Sequence, residues 1–259
     1  MRLYFLLIIA YIRARSQYLK NFISTLLTSI PYQLTSLIVL WGVFQSFQNM
    51  EGWSYFDVVF LGALINIVTG TANGLFRQFR SLENFIISGD LDIFLIRPRS
   101  VVFQIMTHEI DFFTIIGTVI PNLLVAVYCL MNMQISWSFR KIFLLIGAII
   151  FGIIFYGCLF FMIGCLSFWF YRTNNPCMTL LYSVQDFINY PINIYSRVIV
   201  VILTYIFPIG FINYYPLLFL KGKYTGNIEI IMLTIIAIMV GLCCIVWRQG
   251  FKRYQSSGS

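Results

Sequence analysis

Charge is what this chain has least of. Its 259 residues include only 17 Lys or Arg and nine Asp or Glu, so 10% are charged while 60% are hydrophobic, and mean hydropathy is +0.86. That leaves too little polar surface to cover a water-soluble globule. The composition excludes a soluble domain and implies an integral membrane protein. A single histidine, His108, excludes the two-histidine metalloprotease signature. None of Lys20, Lys141, Lys221, Lys223 or Lys252 is followed by Ser or Thr, the pair that ends a phosphate-cradling P-loop. ATP is therefore not bound through a Walker motif here. There is no Gly-x-Ser-x-Gly elbow, and Asp57, Asp111 and Asp186 sit toward the ends of apolar runs rather than paired at a midplane. These absences argue against an enzyme. The six cysteines lie in or beside apolar runs without framework spacing, and Cys158 and Cys165 lack His or carboxylate company. Neither disulfides nor a metal site is expected.

What is abundant is apolar length. Runs free of Asp, Glu, Lys and Arg cover 22–47, 58–76, 112–133, 142–171, 198–220 and 230–247, each near or above the ~20 residues that a membrane-crossing helix needs. They do not alternate apolar with polar, as the strands of a β-barrel would. The fold class is all-α, with six transmembrane helices in one membrane domain over 1–259. Basic residues set the orientation. Arg2, Arg13, Arg15, Lys20, Arg77, Arg80, Arg97, Arg99, Arg172, Arg248, Lys252 and Arg253 fall on one side, against Arg140, Lys141, Lys221 and Lys223 on the other, with Arg197 ambiguous. Both termini are expected in the cytoplasm by the positive-inside rule. The net charge of +8 is thereby explained by topology and calls for no nucleic acid.

Along the chain, Leu3, Leu6, Leu7, Ala10 and Ala14 line one face among basic residues, which suits an interfacial helix over 1–20. Pro31 predicts a kink in the first span. Gly70-x-x-x-Gly74 lets helix backbones approach closely, with packing inside the chain favoured over a dimer contact. His108, Glu109 and Asp111 cluster at the mouth of the third span, where anchoring or contact with nearby arginines outweighs a proton relay. The fourth span, with four glycines, has to tilt or kink. Pro176, Pro191, Pro208 and Pro216 exclude a straight helix over 174–223. Two arrangements fit: 198–220 crosses, or it re-enters, broken at Pro208, with 177–190 as the fifth crossing.

The polar island over 77–100 holds seven of the 26 charged residues. Ser81 is placed to cap a helix with Leu82, Phe85 and Ile86 on one face and Glu83 in its first turn. Gly89 ends that helix. The stretch that follows cannot stay helical up to Pro98, because the residue before a proline is pushed out of the α region. An ordinary amphipathic helix resting on headgroups has the same pattern.

In this order, Gly89-x-Leu91-Asp92-x-x-Leu95-x-Arg97-Pro98, Tyr190-Pro191-x-x-x-Tyr195, Ile206-Phe207-Pro208, Tyr215-Pro216 and a tail from Trp247 through Gly258 resemble the membrane subunit of an ATP-binding-cassette exporter of the type-2 permease family. The resemblance covers nearly the whole chain. It implies that the segment over 78–99 is a cytoplasmic coupling helix between spans two and three, seated on a separate ATPase. In that reading Leu82, Phe85 and Ile86 form its buried face, and Glu83, Asp90, Asp92, Arg97 and Arg99 its polar contacts. It implies two ATPase subunits carrying ATP and Mg, no cofactor in this chain, and a second permease chain, identical or related. Tyr190, Pro191, Tyr195, Pro208, Tyr215 and Pro216 would belong to re-entrant gate helices before the sixth span, the broken part covering about 177–220. The implied setting is a bacterial cytoplasmic membrane, and the aromatic richness suits an amphiphilic or hydrophobic substrate such as a drug, peptide or lipid. A stand-alone carrier or channel, or a membrane scaffold or immunity protein, is the competing expectation. Carriers, however, place ionisable groups near the midplane.

Overall fold

The computed structural model describes residues 19–46, 52–108, 110–170 and 174–254. The expected interfacial helix falls almost wholly outside them, as do Glu109 and the end of the tail. Within them the chain is helical: α1 Leu19–Ser46, α2 Tyr55–Leu75, α3 Arg77–Arg80, α4 Leu82–Ile87, α5 Asp90–Ile96, α6 Val101–His108, α7 Phe112–Asn132, α8 Phe139–Cys165, α9 Asn174–Ile188, α10 Arg197–Val201, α11 Tyr214–Leu220 and α12 Ile228–Arg253. Among the described residues, four helical stretches are long and apolar enough to cross a membrane: α2, α7, Phe139–Phe168 and α12. A bent pair, Arg197–Ile206 with Pro208–Leu220, adds a fifth if it counts as one span. Its 68° bend bears out the expectation that no straight helix runs through this region.

The spans start where local chemistry satisfies their free amides. Ser54 and Asp57 form a reciprocal capping box at α2, Asp111 accepts from Thr114 N–H at α7, and Ser138 accepts from Lys141 N–H at α8. Around them the helices pack in layers about α2. Its apolar window is 72% buried, against 22% for α7, 44% for Phe139–Phe168 and 11% for α12, so α2 is the central post, with α7 and α8 packed on it and α12 packed on α8. Small residues make this possible. A methyl group at Gly70 would collide with the Thr118 side chain, and one at Gly74 with Ile115 and the Asp111 carbonyl. The Gly-x-x-x-Gly motif therefore joins α2 to α7 inside the chain. On α8, Gly152 faces Val68, Gly157 faces the Phe76 ring, and Gly164 faces the Phe79 backbone, so the glycines allow close approach to α2 and α3. Between the helices lies a core of aromatic bulk, with Phe151, Phe155, Tyr156 and Phe160 fully buried against Ile65, Val68 and Ala72.

Candidate functional site

Three features stand out: a knot over 77–108, a broken segment over 190–221, and a polar seam running between them.

The knot folds largely as its sequence dictates. Gly89 takes φ +79°, α5 stops at Ile96, and Arg97 before Pro98 is extended at φ −85°, ψ 143°. Gln104 donates to the Phe94 and Arg99 carbonyls at 2.8 and 2.9 Å, and Gln78 to the Leu75 and Met106 carbonyls at 2.8 and 3.0 Å. Four carbonyls released by broken helices are thereby satisfied. Ser81 stands at the start of α4 but makes no capping bond, because its backbone at φ −84°, ψ 1° is not the extended form that aims a cap.

The face shared by Leu82, Phe85 and Ile86 is real, but this chain covers it. Leu82 is fully enclosed beside α8, and Phe85 and Ile86 pack on the same core. Phe85 meets the Phe94 ring at 5.5 Å and the His108 ring at 5.1 Å. Glu83 is buried and accepts from Asn174 N–H at 3.2 Å. Asp92 accepts from Tyr254 Oη at 2.8 Å. Helical periodicity tells which residues share a face, not what covers it. The apolar side chains the knot turns outward are instead Ile87, Ile93, Leu95 and Ile96, the last 84% exposed. Asp90, Arg97 and Arg99 stand exposed beside them. At the mouth of α7, Asp111 takes an ion pair from Arg77 at 2.9 Å, the expected contact with the island's arginines.

The broken segment gathers the proline-linked residues and adds others the sequence did not advertise. Tyr215 stacks on Phe211 at 4.5 Å and its hydroxyl lies 3.3 Å from Thr204 Oγ1 across the bend at Pro208. Tyr195 packs edge-on against Phe187 at 5.5 Å, Pro191 and Pro216 are buried, and Tyr190 is half-buried. Asn213, fully buried, donates to the Leu61 and Ile188 carbonyls at 3.2 and 2.8 Å. Lys221 pairs with the buried Asp57 of the α2 capping box. The ammonium groups of Lys221 and Lys223 lie 5.3 and 5.8 Å from the centre of the Trp53 ring, whose Nε1 donates to Asn193 Oδ1 at 3.0 Å. This latch ties the broken segment to the start of α2. From sequence, Lys221 and Lys223 serve only as topology markers and as lysines that end no P-loop. Asp57, as the acid three residues after Ser54, was the visible half of the signal.

The seam was missed altogether. Along α2 and α3, Gly62, Asn66, Thr69, Asn73, Arg77 and Arg80 follow at steps of four, three, four, four and three, which is one helical face. Facing them are Gln33 of α1, Thr118 and Asn122 of α7, and Tyr182 and Gln185 of α9. Gln33 donates to Asn122 Oδ1 at 2.8 Å, Gln185 to Thr69 Oγ1 at 3.3 Å, and Tyr182 to Asn73 Oδ1 at 3.2 Å. That polar periodicity is legible in the sequence once uncharged amides and hydroxyls are tracked as well as charges.

A family model described as ABC-2 family transporter protein matches residues 30–258. No curated protein and no solved structure matches the chain.

Proposed function

This chain belongs to the ABC-2 transporter family, and from that premise we propose that it is the permease half of an ATP-driven exporter for an amphiphilic or hydrophobic substrate. Membership makes it an integral membrane transport component that works with ABC ATPase subunits. Our reading goes further. Two permease chains enclose the path, two ATPase copies supply ATP and Mg, α1 serves as the first of six spans, and both termini face the cytoplasm of a bacterial plasma membrane. The halves of the bent pair, Arg197–Ile206 and Pro208–Leu220, span only about 15 and 20 Å at 1.5 Å per residue. Neither alone reaches across ~30 Å of hydrocarbon, which supports a re-entrant hairpin gating the outer side.

The observation that carries the proposal is the knot's outward apolar edge, Ile87, Ile93, Leu95 and Ile96, rimmed by Asp90, Arg97 and Arg99. A charged and apolar edge on a clamped scaffold suits seating in a groove of a soluble partner better than resting in lipid. ATP-driven closure of the partner would then shift the knot, and differential binding in the two states would drive alternating access. Affinity purification in mild detergent tests this. Wild type co-isolates a soluble P-loop ATPase, and Ile96→Asp, which removes about 1.5–3 kcal/mol of apolar burial from such a contact, cuts recovery at least tenfold while the chain stays folded. Phe85→Asp instead destabilises the chain itself, because its ring lies inside. Full recovery of ATPase with Ile96→Asp sinks the docking assignment.

A further inference from the structure

Three cavities lie in line along the seam. The outer one, about 290 Å³, is lined by Gln33, Ser36, Asn66, Asn189 and Tyr190 together with Leu37, Val39, Leu40, Val59 and Val125. The middle one, about 270 Å³, shares Gln33 and Asn66 with it and continues past Asn73 to Arg77 and Arg80. Those arginines also line a third, about 430 Å³, which opens between Asn84, Asn174 and Tyr182. Shared walls make this one track along the central helix. Polar groups inside a bilayer are costly unless they are paired or face a wet or ligand-filled space. Several amides and hydroxyls of this row pair with one another, but the row also walls the connected cavities, and it is this polar-lined space that suits something polar.

Charge along the track narrows what that is. The charged side chains lining the three cavities are Arg77, Arg80 and Asp111, two cations and one carboxylate. Asp111 is taken up by Arg77 at 2.9 Å and by the start of α7. Among the described residues Arg80 has no carboxylate partner within ion-pair reach. Its guanidinium rests over the Phe160 ring at 5.3 Å and Nη1 donates to Tyr182 Oη at 2.6 Å, which hold the fork in place while leaving its charge unmatched. Asp186 is exposed on the same helix as Tyr182 but lines none of the cavities. The outer cavity, by contrast, carries no charge and half its wall is aliphatic.

From this arrangement, and resting on the permease reading above, we infer that the seam binds an amphiphile with an oxyanion headgroup, a phosphate or carboxylate. Arg80 is its counter-ion and the aliphatic wall of the outer cavity receives its chain. An oxyanion matches a guanidinium fork bidentately, and the amide ladder supplies donors for a headgroup moving along it.

The test uses the full chain alone, in phosphatidylcholine nanodiscs with empty discs subtracted. The probe is radiolabelled dodecyl phosphate, competed by dodecyltrimethylammonium or by inorganic phosphate. The phosphate amphiphile binds, and neither competitor displaces it at equal concentration. Arg80→Gln weakens binding about tenfold or more, the loss expected for a charge-assisted contact, and Arg80→Lys recovers part of it. Because headgroup selectivity is read on the unsubstituted chain, a misfolded variant does not hide the answer. Discs containing phosphatidylglycerol separate the sources: displacement of the probe assigns the site to a bilayer lipid, and retention assigns it to a soluble amphiphile. Equal displacement by the cationic amphiphile, equal displacement by inorganic phosphate, or unchanged binding in a folded Arg80→Gln protein overturns the assignment. Since no ATPase takes part, such a failure leaves the permease reading standing, and that reading fails separately if no ATPase co-isolates.

Discussion

Replacing Lys221 by methionine tests how the broken segment is held. Asp57 is 1% exposed and Lys221 keeps 24% of its side chain open, so the pair is buried on one side and partly wet on the other. Removing one partner of a buried pair costs about 3–5 kcal/mol, because the remaining charge is stranded. The open quarter of Lys221 places this case at the low end, about 3 kcal/mol. Loss of one cation over Trp53 adds little, since Lys223 still lies 5.8 Å from the ring centre. For a chain of this size about 3 kcal/mol corresponds to a fall in melting temperature of about 6–12 °C, measurable by thermal unfolding in nanodiscs. Asp57→Asn combined with Lys221→Met recovers most of that loss. A neutral amide still accepts the Ser54 N–H that now binds Asp57 Oδ2 at 2.8 Å, and it strands no charge. The reasoning is refuted if Lys221→Met shifts melting by less than about 2 °C, or if the double variant is no more stable than the single one.

Two further outcomes follow from the packing and from the end of α12. Gly164→Ala drives a methyl group into the Phe79 carbonyl and destabilises the chain by about 1–3 kcal/mol. Gly147→Ala meets nothing within 4 Å and is neutral or stabilising by up to about 1 kcal/mol; melting should fall for Gly164→Ala and hold or rise for Gly147→Ala. The Tyr254 phenol is pushed from 10.0 up to about 12, first by burial and then by its bond to Asp92. Raising a phenol favours the protonated folded state, so its contribution is complete below pH 10 and is lost as pH rises through about 12. Tyr254→Phe should remove that component of the alkaline stability loss, and curves of equal slope between pH 10 and 12 would refute the assignment.

What could be read in advance depended on whether the signal was local. The spans α2, α7, α8 and α12 were legible because a ~20-residue apolar helix is dictated by the bilayer. The halt at Ile96 and the 68° bend at Pro208 were legible because proline acts on its immediate neighbours. The Asp57–Lys221 pair was not, since 164 residues separate its members and each has a local explanation as helix cap or loop cation. Nor was the covering of Leu82, which needs α8 in place. The seam escaped for a different reason. Runs chosen for lacking Asp, Glu, Lys and Arg are blind to Asn66, Thr69, Asn73, Gln33 and Asn122, although these carry the polar chemistry of the interior.

The central helix connects all three features, and this gives the arrangement its mechanical sense. At its N-terminal end α2 is latched through Asp57 to the broken segment, and along its length it bears the seam. At its C-terminal end only Phe76 separates it from α3 and the knot. Phe76 and Phe79 stack at 6.0 Å, and both press against glycines of α8, Gly157 and Gly164. Close-packed contacts of this kind transmit a displacement rather than absorb it. A shift of the knot therefore bears on α2 and α8, and on α12 as well, whose end is joined to the knot by the Tyr254–Asp92 bond. Moving α2 changes the width of the seam and loads the Asp57–Lys221 latch together. One helix, α2, thus links the knot, the seam and the broken segment.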